Sequence, residues 1–201
     1  MVNTKKLSYG SVAALGFLVY FFSYTMRLDY SASLVAIISD LGITNTVASA
    51  AVTGSFITYG IGQIIFGFVG DKVSPSKMIA IAMLGTVTVN VLVSFCTSIA
   101  LITALWCVNG FCQAMIWPPL IRFVSEQIEP KKYSDVITIV GMSASVGTIF
   151  VYLFVPLVLK FTVWRNVFRF MAAFGVVIML IWYFSTKDIS MGNAKSEIKK
   201  N

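Results

Sequence analysis

The chain has 201 residues, of which 58% are hydrophobic and only 11% charged, and its mean hydropathy is +0.87. Soluble domains run roughly 45–50% apolar and about 25% charged, so this composition excludes a soluble enzyme, a secreted disulfide scaffold and a disordered tail. The net charge of +7 does not point to nucleic acid, because the basic residues sit between apolar runs and form no polar stripe interleaved with aromatics.

Six apolar runs are long enough to span a bilayer at about 20 residues each. They cover Ser11–Ile38, Thr46–Val69, Met78–Cys96, Ile99–Ile121, Val136–Leu159 and Val167–Phe184. Helices are expected throughout, because backbone in hydrocarbon must satisfy its hydrogen bonds internally. Turns are expected at Asp40–Thr44, at Asp71–Lys77 with Pro75, and at Glu129–Lys132 with Pro130. The first run is too long for a cleavable signal, and no small-residue cleavage site follows it.

Basic residues fix the expected orientation. Eleven lie on one side: Lys5, Lys6, Lys72, Lys77, Arg122, Lys131, Lys132, Lys187, Lys195, Lys199 and Lys200. Lys160, Arg165 and Arg169 lie on the other, and Arg27 falls within a span. The positive-inside rule then places both termini in the cytoplasm, with residues 1–186 as the transmembrane domain and 187–201 as a polar, basic cytoplasmic tail. The expected fold is an all-α membrane protein of six transmembrane helices in two inverted three-helix repeats, an arrangement common in halves of membrane transporters. The first and fourth helices then occupy equivalent positions.

Chemistry inside the spans is sparse. There is no histidine, and no serine-nucleophile or metal-ligand spacing replaces it, so catalytic residues, metals and cofactors are expected to be absent. Cys96, Cys107 and Cys112 read as small hydrophobes. Arg27 is the most informative residue, since a charge within a span normally faces a cavity or a partner. Tyr20, Tyr24, Arg27 and Ser31 share one helix face, and a guanidinium beside phenols suits a phosphate or carboxylate. Snorkelling, or pairing with Asp29, is the alternative reading of Arg27.

Gln63 follows Tyr59 by one turn on a glycine-rich second helix, where it is a candidate for the same cavity. On the fourth helix Asn109, Gln113 and Trp117 are spaced at i, i+4 and i+8, and Pro118-Pro119 frees backbone carbonyls. Thr138, Gly141, Ser145, Thr148 and Tyr152 form a polar or small stripe on the fifth helix, read either as helix packing or as ligand contact.

Gly67-Phe68-Val69-Gly70-Asp71-Lys72 resembles the signature loop of the major facilitator superfamily, and Trp164-Arg165-x-x-Phe168 is similar to its sixth-helix start. Tyr20-x-x-x-Tyr24-x-x-Arg27 resembles the first helix of the organophosphate:phosphate antiporters, and Phe111-x-Gln113-x-x-x-Trp117-Pro118-Pro119-x-x-Arg122 resembles their fourth. The resemblance spans the first half of that family's length. It implies a twelve-helix fold, alternating access, and an anion gripped by one arginine from each half. Arg27 matches the first arginine. Gly67, Asp71 and Lys72 would form the gating loop. Two positions depart from glucose- and glycerol-phosphate members: Gln63 stands for a lysine, and Ala144 for a histidine.

The expected function is secondary transport of a small anion, an organophosphate or phosphate, by a half-transporter in the plasma (inner) membrane. It would bind through Arg27, Tyr20, Tyr24, Gln63, Gln113 and Trp117. Its partners would be the lipid bilayer and a complementary six-helix half or a second copy, with no nucleic acid. The alternatives are a non-transporting organophosphate sensor and an inactive truncated product.

Overall fold

The structure is a computed structural model that describes residues 7–70, 72–187 and 189. Those residues form seven helices and no strand. They are α1 (Tyr9–Leu41), α2 (Asn45–Val69), α3 (Pro75–Val93), α4 (Ile99–Gln113), α5 (Trp117–Gln127), α6 (Pro130–Leu159) and α7 (Trp164–Thr186). α4 and α5 together make one span, so six helical segments are long and apolar enough to cross a membrane. Asp71, Lys5, Lys6 and the tail beyond Ile189 lie outside the described residues.

Local chemistry sets the boundaries. Ser8 and Thr44 cap α1 and α2, each side-chain oxygen accepting from the backbone N–H three residues on. Gly42 ends α1 with φ of +62°, a left-handed conformation that costs glycine no Cβ clash. α1 therefore runs three residues past its expected end and takes in Asp40. Pro75 and Pro130 are not turn residues but the first residues of α3 and α6. A proline there loses only an N–H that the helix would leave unpaired anyway. The expected turn Glu129–Lys132 is accordingly the opening of α6.

The double proline does more than bend the fourth span. The α-helical hydrogen-bond pattern breaks at Ala114–Ile116, where the N–H groups of Met115 and Ile116 turn to carbonyls three residues back, Cys112 and Gln113. Pro118 and Pro119 cannot donate, so the carbonyls of Ala114 and Met115 lose their helical partners. α5 then continues to Gln127, beyond the expected end at Ile121.

Packing follows the inverted repeat. The principal pairings are α1 with α6, α2 with α4, and α3 with α7. Exchanging the first three helices for the last three converts the first pairing into the second and leaves the third unchanged. Small residues allow the close approaches. A Cβ on Gly110 would lie 2.1 Å from the Ser55 carbonyl oxygen, and one on Gly62 would lie 2.6 Å from Ala114 Cβ. Thr58 donates to the Cys107 carbonyl at 2.7 Å across the same seam. Cys107 and Cys112 are half-buried, their sulfurs filling notches above Gly54 and Gly85, while Cys96 is buried. The α6 stripe points away from the bundle: Thr138, Ser145 and Tyr152 are exposed, and nothing lies near Gly141. α6 packs on α1 through Gly147, which the sequence reading did not single out, against Phe21 and Tyr24.

At the end opposite the termini, Asp40 Oδ2 accepts from Trp164 Nε1 at 2.9 Å and from Arg165 Nη1 at 2.6 Å. Arg165 Nη2 reaches the Cys96 carbonyl at 3.3 Å. The Trp164-Arg165 pair thus fastens the start of α7 to the end of α1 and to the α3–α4 turn.

Gly110→Val puts a branched side chain against backbone that cannot move aside. It should destabilise the bundle by about 1–3 kcal/mol or more, read as a lower unfolding midpoint in detergent. Gly141→Val, in open space, should leave the midpoint unchanged.

Candidate functional site

Arg27 sits two residues past the midpoint of α1, so roughly 21 Å of helix separate it from Leu41. Asp29 is not its partner. Asp29 is fully buried, its Oδ1 accepts from the Tyr30 N–H at 2.7 Å, and no ion pair to Arg27 occurs among the described residues. A two-residue offset turns the two side chains to well-separated faces of the helix.

The guanidinium is held by rings. Its carbon lies 4.2 Å from the Tyr59 ring centroid and 5.3 Å from that of Tyr24, within cation–π range. Its Nε is buried and has no hydrogen-bond partner. Tyr24 meets Tyr20 edge-on at 5.1 Å, and Tyr20 meets Trp117 at 4.5 Å. α1, α2 and the start of α5 thus contribute Tyr20, Tyr24, Arg27, Tyr59 and Trp117 to one continuous surface. Tyr59 was noted in the sequence only as the residue one turn before Gln63, and that i, i+4 spacing was the available signal for it.

The two glutamines serve the fold first. Gln63 Nε2 donates to the Ala114 carbonyl at 3.3 Å, one of the acceptors orphaned by the prolines. Gln113 is 1% exposed and its Oε1 accepts from Ser23, leaving Nε2 buried without a partner. Asn109 likewise holds the Met26 carbonyl at 3.0 Å. Unpaired donors on Arg27 and Gln113, and no ion pair to Arg27 among the described residues, make this face suited to an anion.

The loop residues lie elsewhere. Gly67 and Lys72 are exposed at the far end of α2. Arg122 closes that end: its Nε pairs with Glu126 at 2.7 Å, and its Nη1 donates to the carbonyls of Gly70 and Val73.

Residues 13–201 match the family model of the Major Facilitator Superfamily, and the chain belongs to that superfamily. Its fold and family are those of transporters. A probable hexose phosphate transport protein of Chlamydia trachomatis is 26% identical over 152 residues, which are 75% of this chain and 33% of that protein. The glycerol-3-phosphate transporter of Bacillus subtilis is 24% identical over 86% of this chain and 40% of its own length. The membrane sensor protein UhpC of Salmonella typhimurium is 23% identical over 89% of this chain and 40% of its own. These relatives are members of the organophosphate:phosphate antiporter family, and this chain spans well under half the length of each. Among solved structures, peptide transporter POT in complex with sulfate superposes with a TM-score of 0.81 over 92% of this chain, at 15% identity. An inward-facing bacterial Spinster homologue gives 0.75 over 91%, at 16% identity. The fold is therefore shared, with six of its helices present here.

Gln63→Leu removes the donor on the Ala114 carbonyl and should cost about 1 kcal/mol in detergent unfolding. Gln63→Lys keeps a donor within reach and should retain most of that stability.

Proposed function

We propose that this chain supplies one half of the binding site of a secondary transporter for a small phosphate-bearing anion. The carrying observation is Arg27: a guanidinium at mid-helix, braced by Tyr24 and Tyr59, with no carboxylate partner among the described residues. An uncompensated charge at that depth calls for a counter-charge, and an incoming phosphate provides one in the bidentate geometry that a guanidinium prefers. Tyr20, Tyr24 and Trp117 offer the rest of the ligand a hydroxyl-bearing aromatic wall, with Gln113 behind them as a spare donor. Gln63 acts one step removed, by fixing the backbone that carries Trp117.

Among the described residues Arg27 is the one basic side chain near the middle of a span. The exposed apolar residues of α2 and α6, among them Phe56, Ile64, Met142 and Leu153, fit a complementary six-helix half or a second copy that brings the remainder of the site. Alternating access then consists of the two halves rocking about the bound anion, which must bind the two orientations unequally to bias them. Gly67, Asp71 and Lys72 serve the cytoplasmic gate, with both termini in the cytoplasm of a plasma (inner) membrane. Sensing of an organophosphate without transport is a second reading of the same face, favoured by the match to UhpC along most of this chain.

Vesicles holding this chain alone should show no saturable exchange of inorganic phosphate for glycerol 3-phosphate or glucose 6-phosphate, and adding the complementary half should start it. Arg27→Ala should then weaken phosphate binding by roughly 2–5 kcal/mol, with Arg27→Lys intermediate, while Lys72→Gln changes rate more than affinity. Binding by a folded Arg27→Ala protein within twofold of wild type would remove the anion-site reading. Cysteines at Asn3, Ser98 and Asn193 test the topology, and only Ser98 should be labelled from outside intact cells.

A further inference from the structure

The first turn of α3 and the last turn of α7 enclose a cavity of about 410 Å³, with Ser74, Ser76, Lys77, Thr186 and Lys187 at its polar end. Along the same seam, toward the middle of the bundle, lies a recess of about 230 Å³ lined by Ala80, Ile81, Leu84, Met179, Leu180 and Tyr183. Ala80, Ile81 and Tyr183 border both, so the two form one trough, charged at the membrane boundary and apolar below it. None of the residues around Arg27 takes part.

The polar end is arranged for an anion. Lys77 and Lys187 are exposed, and the described lining contains no carboxylate. Ser76 Oγ is buried without a hydrogen-bond partner. Ser74 makes no side-chain bond to the N-terminus of α3, so the first-turn N–H groups of Ser76 and Lys77 receive no cap from it. Trp182 Nε1 donates to the Ser76 carbonyl at 3.1 Å and holds this turn against α7.

The apolar end is open to hydrocarbon, with Ile81, Leu84, Leu180 and Tyr183 all exposed. From Ser74 to Leu84 the trough follows ten residues of helix, roughly 15 Å, about the depth of one leaflet's hydrocarbon. A soluble phosphate ester would leave that length unused.

We propose that this trough binds one anionic phospholipid. Its phosphate sits between Lys77 and Lys187 on the Ser76 hydroxyl, and one acyl chain lies along Ile81, Leu84 and Leu180. The lipid bridges the start of α3 and the end of α7 at the boundary that the charge bias assigns to the cytoplasm, where anionic headgroups attract lysines.

The test is lipid retention by the detergent-solubilised chain, read by native mass spectrometry after titration with phosphatidylglycerol, phosphatidylcholine or inorganic phosphate. Wild type should keep one phosphatidylglycerol and gain thermal stability from it, with no such gain from phosphatidylcholine or from phosphate alone. Lys77→Gln/Lys187→Gln should weaken retention roughly thirtyfold, at about 1 kcal/mol per lysine. Leu84→Trp, which fills the apolar end, should weaken it with both lysines intact. Circular dichroism confirms that each variant is folded. Equal retention of phosphatidylcholine, or undiminished retention by the lysine double variant, would overturn the proposal. Stabilisation by inorganic phosphate equal to that by the lipid would replace it with a soluble-anion site.

Discussion

Hydrocarbon offers no partner to a polar group, and most features of this chain follow from that constraint. It makes every span a helix. It places Gln63 on the Ala114 carbonyl, Thr58 on that of Cys107 and Asn109 on that of Met26. Each of these bonds crosses between helices, so the demand for satisfaction also locks the bundle together. The double proline shows the coupling most plainly: breaking one helix creates an acceptor that a neighbouring helix must answer.

Against that background, the groups left unanswered gain meaning. Arg27 Nε and Gln113 Nε2 are two of several buried groups without partners, a set that also includes the acceptors Asp29 Oδ2 and Asn109 Oδ1, although the same helices supply bonds to backbone carbonyls. The first two are donors, and both belong to the surface built by Tyr20, Tyr24, Tyr59 and Trp117. The trough between α3 and α7 presents donors too, at the membrane boundary instead of mid-depth. One bundle thus carries two anion-suited regions, one lined by aromatic rings and the other continued by an aliphatic groove.

Hydropathy made the six spans legible, because run length is a sequence property. The helix starts at Pro75 and Pro130 were misread as turns, since the same proline serves a turn or a first helical position equally well. The break at Ala114–Ile116 was legible as a consequence of two adjacent prolines, but not its extent. Of the site, Arg27, Tyr20, Tyr24 and Trp117 could be read from spacing and from the family motif. Tyr59 was legible only as the residue one turn before Gln63, because its contact with Arg27 depends on where α2 lies beside α1. The bond from Gln63 to the Ala114 carbonyl was not legible, because a sequence does not reveal that a carbonyl one helix away has lost its donor. The close approach at Gly147 was likewise invisible, whereas the conspicuous small residue at Gly141 proved to face open space.

The Asp40 clasp bears on how the bundle is made. Its partners Trp164 and Arg165 lie 124 and 125 residues further along the chain. During synthesis the first five spans can enter the membrane and pair while Asp40 has no companion. Only when α7 emerges does its leading turn reach back to the end of α1. The six-helix unit is therefore fastened by the segment that begins at residue 164, and a chain stopped before it would hold the Arg27 face without the fastening that completes its frame.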